Sequence, residues 1–222
     1  MSFTHDPAIH KLGIPIALAV PFRCQLVKLQ DTDRVVLVDA IGQIQDFFKQ
    51  RGHQAYGEGV TELQHALQAA SLAEQDSAPD HLIVAALLHD IGHLLHGLPE
   101  DVAEQGIDGH HEQVGGKWLK QRFGPEISQP VRLHVTAKRY QCTVNPDYFE
   151  QLSPASTKSF VLQGGKMNAD EINDFGRNPF FKDALQLRTW DDNAKNPKAT
   201  TPLLDHYLPL IKAVLVSSAT SQ

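Results

Sequence analysis

Cysteine, basic charge and long apolar runs are all scarce in this 222-residue sequence. Its two cysteines, Cys24 and Cys142, are too few for a disulfide framework and favour a reducing cytoplasmic location. The net charge of -6 argues against a nucleic-acid-binding protein, which usually carries a basic face. No stretch approaches the roughly 20 apolar residues of a membrane span. The apolar segment Leu12–Phe22 lacks the basic start and the cleavage site of a signal peptide.

Most of the chain instead shows apolar residues at helical spacing. No segment alternates convincingly as a strand does, so the sequence predicts an all-α fold with one domain over residues 35–217. We expect residues 1–34 to form an N-terminal arm and residues 218–222 a disordered tail. Helices are predicted over 35–51, 62–74, 80–95, 112–123, 126–139, 154–163, 179–190 and 203–217, with a short one after Asn168.

The predicted helix 80–95 contains the run LIVAALLHDIGHLL, which is apolar on nearly all sides and indicates a buried, central position. His89 and Asp90 lie inside this run. A buried ionised aspartate is costly unless it is paired or binds a metal. His65, in an apolar stretch one helix earlier, is the natural third ligand. A lone histidine of this kind is more often a hydrogen-bonded core residue, but the combination H…HD indicates a metal site.

Further histidines and carboxylates extend this candidate site. His93 lies four residues after His89 and shares its helix face. The zinc-protease pattern H-E-x-x-H is excluded, because an aspartate follows His89. His111 and His134 belong to the next two predicted helices, and Asp191 ends a later one. None of these residues is specific by itself.

The order of the motifs carries a resemblance to a known family. His65, His89-Asp90 and Asp191 match the H…HD…D pattern of the HD superfamily, and His111 and His134 match its two-metal subset. Further strings are YGE at 56–58, HDIGH at 89–93, HEQVG at 111–115, HVTAKRY at 134–140, LSPAS at 152–156, LQGG at 162–165 and LRTWD at 187–191. Together they resemble the PhnZ-type HD-domain oxygenases of phosphonate catabolism, which are distant relatives of myo-inositol oxygenase.

The resemblance implies an HD-domain helical bundle with a dinuclear metal site in its core, holding two iron ions in the mixed-valent Fe(II)/Fe(III) state. The first iron would be bound by His65, His89, Asp90 and Asp191. Asp90 would bridge to the second iron, which His111 and His134 complete. The absence of thiolates from this ligand set agrees with iron or manganese rather than structural zinc.

The resemblance also implies which residues bind substrate. Lys138, Ser156, Gln163 and Arg188 would hold the phosphonate oxygens. Helical spacing agrees for the two cations, because Lys138 lies four residues after His134 and Arg188 three before Asp191.

Three further residues are implied at the reacting end of the site. Glu58 would cap an iron until substrate displaces it, with Tyr56 as its mobile partner, and His93 would contact substrate. The family tyrosine lies three residues before this glutamate, where the present chain has Ala55. Tyr56 is therefore displaced by one position from the family pattern.

The implied activity is an O2-dependent diiron oxygenase that cleaves the C–P bond of a 1-hydroxyalkylphosphonate to phosphate and a carboxylic acid. The product is glycine from 2-amino-1-hydroxyethylphosphonate and glycine betaine from its N-trimethyl analogue. The alternative is an HD-type metal-dependent phosphohydrolase, in which the metals activate water. A non-catalytic HD regulator ranks last because no ligand is missing. The expected partners are small molecules, with no nucleic acid and no membrane, and a homo-oligomer is left open.

Overall fold

The computed structural model describes residues 31–95 and 107–219. The predicted arm up to residue 30, most of the acidic loop after the central helix, and residues 220–222 lie outside the described residues. Within the described ranges the fold is an α-helical bundle, as the sequence predicts, and it also contains one very small antiparallel sheet.

The described elements follow one another in a simple order. They are α1 (Asp31–Arg51), β1 (Ala55–Gly57), β2 (Val60–Thr61), α2 (Glu62–Gln75), α3 (Asp80–Leu88), α4 (Ile91–Leu95), α5 (His111–Lys120), α6 (Pro125–Val144), α7 (Pro146–Glu150), α8 (Pro154–Leu162), α9 (Ala169–Gly176), α10 (Phe181–Asn193) and α11 (Leu204–Ala219).

Helix α3 is the centre of the bundle. Every residue from Leu82 to Leu88 is buried, and the helix packs against α2, α6, α10 and α11. This agrees with the apolar composition on all sides of the helix. The predicted single helix 80–95 is however interrupted: α3 ends at Leu88, a turn contains His89 and Asp90, and α4 begins at Ile91. The turn coincides with the two polar residues of the apolar run, both of which are buried.

Local sequence signals fix the start of α2, the helix that carries His65. The Thr61 hydroxyl accepts a hydrogen bond from the backbone N–H of Gln64, and the Gln64 side chain accepts one from the N–H of Thr61. This reciprocal arrangement satisfies two N–H groups that the first helical turn would otherwise leave unpaired. The start of α2 is thereby held one turn before His65.

A glycine allows α4 and α5 to approach each other closely. A Cβ atom added at Gly92 would lie 2.0 Å from the carbonyl oxygen of His111. No side chain larger than hydrogen fits at that distance, so the glycine in HDIGH brings the first residue of α5 against α4. The backbone of His111 is thus placed directly beside the central helices.

Several boundaries differ from the sequence predictions. Helix α1 begins at Asp31, so residues 31–34 of the predicted arm are helical. Helix α11 extends to Ala219, beyond the predicted start of the tail at 218. The strands β1 and β2 and the helix α7 were not predicted, because each is too short to show a hydrophobic period. In residues 31–95 and 107–219, no helix has both the length and the apolar character needed to cross a membrane.

Candidate metal centre

One group of donor atoms gathers around the end of α3. The Nε2 atoms of His65 and His89 are 3.0 Å apart, and Asp191 Oδ1 lies 3.4 Å from His65 Nε2 and 3.8 Å from His89 Nε2. Asp90 Oδ2 completes the group at 3.5 Å from His65 and 3.3 Å from His89. All four side chains are buried. We call this group the first half of the centre.

A second group lies on the other side of Asp90. The Nε2 atoms of His111, at the start of α5, and His134, on α6, are 3.1 Å apart. They lie 3.3 and 3.5 Å, respectively, from Asp90 Oδ1. We call His111, His134 and this oxygen the second half of the centre. The structure therefore brings together all six side chains that the sequence predicts as metal ligands.

Asp90 links the two halves through its two oxygens, with Oδ2 facing the first half and Oδ1 the second. Oδ1 is buried and has no hydrogen-bond partner among the described residues. A buried carboxylate oxygen without a donor is costly. An ion held between this oxygen and the two histidines would remove that cost, as a bridging carboxylate does between two metals.

Hydrogen bonds fix the tautomers of three of the four histidines. The Nδ1 atoms of His65, His89 and His134 lie 2.9, 2.8 and 2.7 Å from backbone carbonyl oxygens. Because a carbonyl oxygen only accepts, each Nδ1 donates its proton and each Nε2 carries a lone pair. Pairs of Nε2 lone pairs about 3 Å apart repel each other unless a cation lies between them. The donor set and its geometry therefore fit two metal ions.

Electrostatics keep the carboxylates of the centre ionised. Burial raises the pKa of Asp90, but the neighbouring imidazoles of His89, His111 and His65 outweigh it and hold that pKa well below its usual value. Burial also raises the pKa of Asp191, which the guanidinium of Arg188 and the two histidines of the first half lower well below the usual value. Burial lowers the pKa of His134 to about 3, which leaves its imidazole neutral and ready to bind a cation.

Arg188 has a different setting from the one expected of a substrate anchor. Its Nη1 donates to Asp191 Oδ2 at 2.6 Å, and its Nη2 and Nε donate to Asp192. Its Nε also lies 2.9 Å from the hydroxyl of Tyr148. Arg188 is 4% exposed and lines the pocket beside the centre. Arg188 thus orients a candidate ligand, Asp191, while it faces the space where substrate would lie.

A pocket of about 180 Å³ opens beside the second half and is lined by all four predicted substrate-binding residues, Lys138, Ser156, Gln163 and Arg188. Lys138 Nζ donates to Ser159 Oγ at 2.8 Å. The Oε1 atom of Gln163 is buried without a partner in the described part of the chain. These polar groups form the basic end of the pocket.

The three predicted residues at the reacting end lie in or beside the same pocket. The Tyr56 ring stacks on His65 with centroids 3.7 Å apart, and its hydroxyl lies 3.4 Å from Asp191 Oδ1. Glu58 is exposed in the turn between β1 and β2, with a left-handed φ of 54°. His93 stacks on His111 with centroids 4.1 Å apart. Tyr56 and His93 each pack against a candidate ligand, whereas Glu58 lies at the rim.

Two pocket features escaped the sequence reasoning. Glu62, in the first turn of α2, also lines the pocket, and burial followed by the charge of Asp90 raises its pKa to about 8. Its position three residues before His65 is the signal that could have found it. Lys195, just after the end of α10, donates to Ser156 Oγ on α8 at 3.2 Å. Residue spacing could not reveal this contact, because the two residues lie far apart in the sequence.

Comparisons with known proteins agree with this geometry. The HD domain family matches residues 63–162, which contain five of the six candidate ligands. The hydroxymethylphosphonate dioxygenase of Gimesia maris is 42% identical over 199 residues, 88% of this chain and 96% of the relative. The chain belongs to the HD-domain phosphonate dioxygenases. The described part of this dioxygenase accordingly contains the helical bundle and the histidine and aspartate clusters expected of a metal-dependent enzyme.

Two further relatives cover similar lengths. The [1-hydroxy-2-(trimethylamino)ethyl]phosphonate dioxygenase (glycine-betaine-forming) of Leisingera caerulea is 41% identical over 180 residues, 81% of this dioxygenase and 90% of the relative. An uncharacterised protein of Acanthamoeba polyphaga mimivirus is 33% identical over 189 residues, 83% of this chain and 86% of the relative. The two named relatives act on phosphonates that differ in the group beyond the hydroxylated carbon.

Proposed function

We propose that this protein is a diiron oxygenase that cleaves the C–P bond of a 1-hydroxyalkylphosphonate with O2. The observation that carries the proposal is the basic, polar pocket directly beside two groups of imidazole and carboxylate donors that share Asp90. The two named dioxygenase relatives support the same reaction. The products are phosphate and a carboxylic acid.

The overall reaction balances without an external reductant. For 2-amino-1-hydroxyethylphosphonate, one O2 supplies one oxygen atom to glycine and one to phosphate, while the C–P bond breaks and the hydroxylated carbon is oxidised to the carboxyl level. A mixed-valent Fe(II)/Fe(III) pair, when bound, supplies the redox chemistry that activates O2. His65, His89 and Asp191 would hold the first iron, His111 and His134 the second, and Asp90 both.

The chain itself orients the substrate. Lys138 and Arg188 offer charge-assisted donors to the phosphonate oxygens, and such bonds are stronger than neutral ones. Ser156 accepts a hydrogen bond from Lys195, which leaves its own hydroxyl proton to donate towards the pocket. The Gln163 side chain adds a further polar contact. These groups place the hydroxylated carbon over the second half of the centre.

The opposite side of the pocket favours a cationic substituent. Glu58 and Glu62 both line it, and neither makes a salt bridge with a lysine or arginine among the described residues. Burial raises the pKa of Glu62 to about 8, but a bound ammonium group would lower that pKa, so the two carboxyl groups opposite the basic end suit a phosphonate that also carries an ammonium group. We therefore favour 2-amino-1-hydroxyethylphosphonate or its N-trimethyl analogue over hydroxymethylphosphonate. A cytoplasmic location and a homo-oligomer stay predictions.

The test uses iron-loaded protein and a substrate panel. We expect O2-dependent release of phosphate from the two ammonium-bearing hydroxyphosphonates, with one O2 consumed per phosphate, and weaker activity on hydroxymethylphosphonate. A phosphomonoester serves as the control for the phosphohydrolase alternative. Release of phosphate from that ester without O2, and none from the hydroxyphosphonates, would establish the hydrolase and overturn the proposal.

A further inference from the structure

His111 differs from the other three histidines of the centre in the setting of its Nδ1 atom. His65, His89 and His134 each donate this N–H to a backbone carbonyl within 2.9 Å. Among residues 31–95 and 107–219, no such carbonyl accepts from His111. The acceptor that faces its Nδ1 is the Glu112 carboxylate, whose Oε2 lies 3.9 Å away.

Glu112 is itself unusual. Its side chain is buried, with a relative exposure of 7%. Its Oε1 accepts a long hydrogen bond of 3.4 Å from Gln113, but its Oε2 has no hydrogen-bond partner among the described residues. A buried carboxylate with an unsatisfied oxygen costs free energy, so a role at this position would explain why it is there.

The surroundings hold His111 in place while leaving its Nδ1 turned towards this carboxylate. The His111 backbone is pressed against Gly92, and the His93 ring stacks on one face of the imidazole. Its Nε2 points the other way, towards Asp90 Oδ1 and His134. The ring therefore has one nitrogen in the second half of the centre and the other beside a buried negative charge.

From this geometry we infer that Glu112 is a positioning residue for the second metal: its carboxylate keeps the proton of His111 on Nδ1 and leaves Nε2 free to bind. The distance of 3.9 Å is longer than a hydrogen bond. The negative charge nevertheless favours a proton on the nearer nitrogen at this separation, since the site is buried. A small movement of the side chain on metal binding would close the contact.

The consequence is an electronic difference between the two halves. A carboxylate partner makes a ligating imidazole more basic than a carbonyl partner does. His111 would thus be a stronger donor than the other three histidines and would favour the more oxidised ion in the second half. The inference rests on the proposed metal centre, and it would explain why the two proposed iron ions differ in oxidation state.

The test is a metal titration of Glu112→Gln and Glu112→Ala. Glutamine keeps the volume and one acceptor oxygen but removes the charge, whereas alanine removes both. Titration of the metal-free proteins with Fe(II) under anaerobic conditions needs no phosphonate. We expect the weaker of two binding events to weaken about 10- to 100-fold in Glu112→Ala and less in Glu112→Gln, with the stronger event unchanged. Exposed Glu126→Gln is the matched control.

A second measurement separates this role from a structural one. The reduction potential of the iron pair should rise in Glu112→Gln, because a neutral amide donates less electron density to His111, while the thermal unfolding of the metal-free variant stays close to that of the parent. Parent-like affinity and potential in both Glu112 variants would overturn the inference and leave the proposed function intact. A parent chain that binds no second metal would overturn both.

Discussion

The two halves of the metal centre are held in different ways. The first half lies in the core, where the side chains of His65, His89 and Asp191 are at most 2% exposed and α2, α3 and α10 surround them. The second half borders the pocket, and the His111 side chain is 12% exposed. We expect from this difference that an ion in the first half would be enclosed by protein, whereas an ion in the second half would meet substrate.

The largest effect should come from the residue that belongs to both halves. Asp90→Ala removes the oxygen facing each group, and unbridged cations repel each other strongly in a buried site. We expect loss of both metals and activity at background, measured by elemental analysis and phosphate release. Asp174→Ala, an exposed aspartate on α9, should keep both ions. Full metal content in Asp90→Ala would show that the carboxylate is not a bridge.

Arg188→Ala should break the first half and the substrate site together. A residue that only anchors substrate could be removed without loss of metal, but the guanidinium of Arg188 also holds Asp191 Oδ2 at 2.6 Å. We now expect weaker binding in the first half as well as a loss of phosphonate affinity of about 10- to 150-fold. Arg188→Lys should restore only part of the metal and phosphonate affinity, since lysine lacks the planar guanidinium that can donate to two oxygens at once. Intact metal affinity in Arg188→Ala would mean that Asp191 needs no such support.

Gly92→Ala should act on the second half alone. The added methyl would collide with the His111 carbonyl, so α5 must shift and carry its ligand with it. We expect a loss of roughly 1–3 kcal/mol in the free energy of unfolding and weaker binding of one ion only. Gly42→Ala is the control, because a Cβ there meets nothing within 4 Å. Equal effects of the two substitutions would argue against a close approach of α4 and α5.

Lys138→Ala should spare both halves and weaken only substrate binding, by about 10- to 150-fold. Burial and then the charge of Arg188 lower the pKa of Lys138 to about 8. A lysine with a lowered pKa is charged below that value and neutral above it, so phosphonate affinity should fall as pH rises through about 8. Binding titrations between pH 6 and 9 with an equal slope in parent and Lys138→Ala would assign the pH dependence to another group.

The smallest effect should come from Glu62→Gln. Its partly exposed carboxyl group, whose pKa burial raises to about 8, would ionise beside an ammonium group. A screened pair of this kind contributes up to about 1 kcal/mol. We expect KM for 2-amino-1-hydroxyethylphosphonate to rise about two- to fivefold and KM for hydroxymethylphosphonate to stay unchanged. Equal changes for both substrates would place Glu62 at the metals rather than at the substituent.

Most of the helices could be predicted because their apolar residues recur at helical spacing over a stretch long enough to form a helix. The buried position of α3 was predicted from its composition alone. Helices α2 and α9 begin after the capping residues Thr61 and Asn168, which are of types that favour a helix start. The interruption at His89-Asp90 could not be foreseen, since the apolar run continues through it. The hairpin β1–β2 and helix α7 are set by tertiary contacts and turns rather than by a hydrophobic period.

The candidate ligands came from motif order. The structure agrees with that order, because each candidate donor atom lies within 4 Å of at least two others in its half of the centre. Their roles stay predictions. The spacing of residues along a helix could not reveal which partner each side chain binds. Arg188 shares a face with Asp191, as expected, but this same spacing lets it bind the aspartate itself. The burial of Glu112 beside His111 likewise depends on how α5 packs, which one sequence does not show.

The hydrogen bonds that link α2 to the region of α10 should affect the rate at which a bound ion is released. Asp76, at the end of α2, accepts a hydrogen bond from the Trp190 indole at 2.8 Å, and Gln68 exchanges two hydrogen bonds with the backbone of Asn196. The helix that supplies His65 is therefore joined to α10 and to the residues just after it, at two points that flank Asp191 in the sequence. An ion in the first half should have a long residence time, because its release requires these helices to separate. Radioactive iron exchange should proceed in two phases, with the pocket-side ion replaced first.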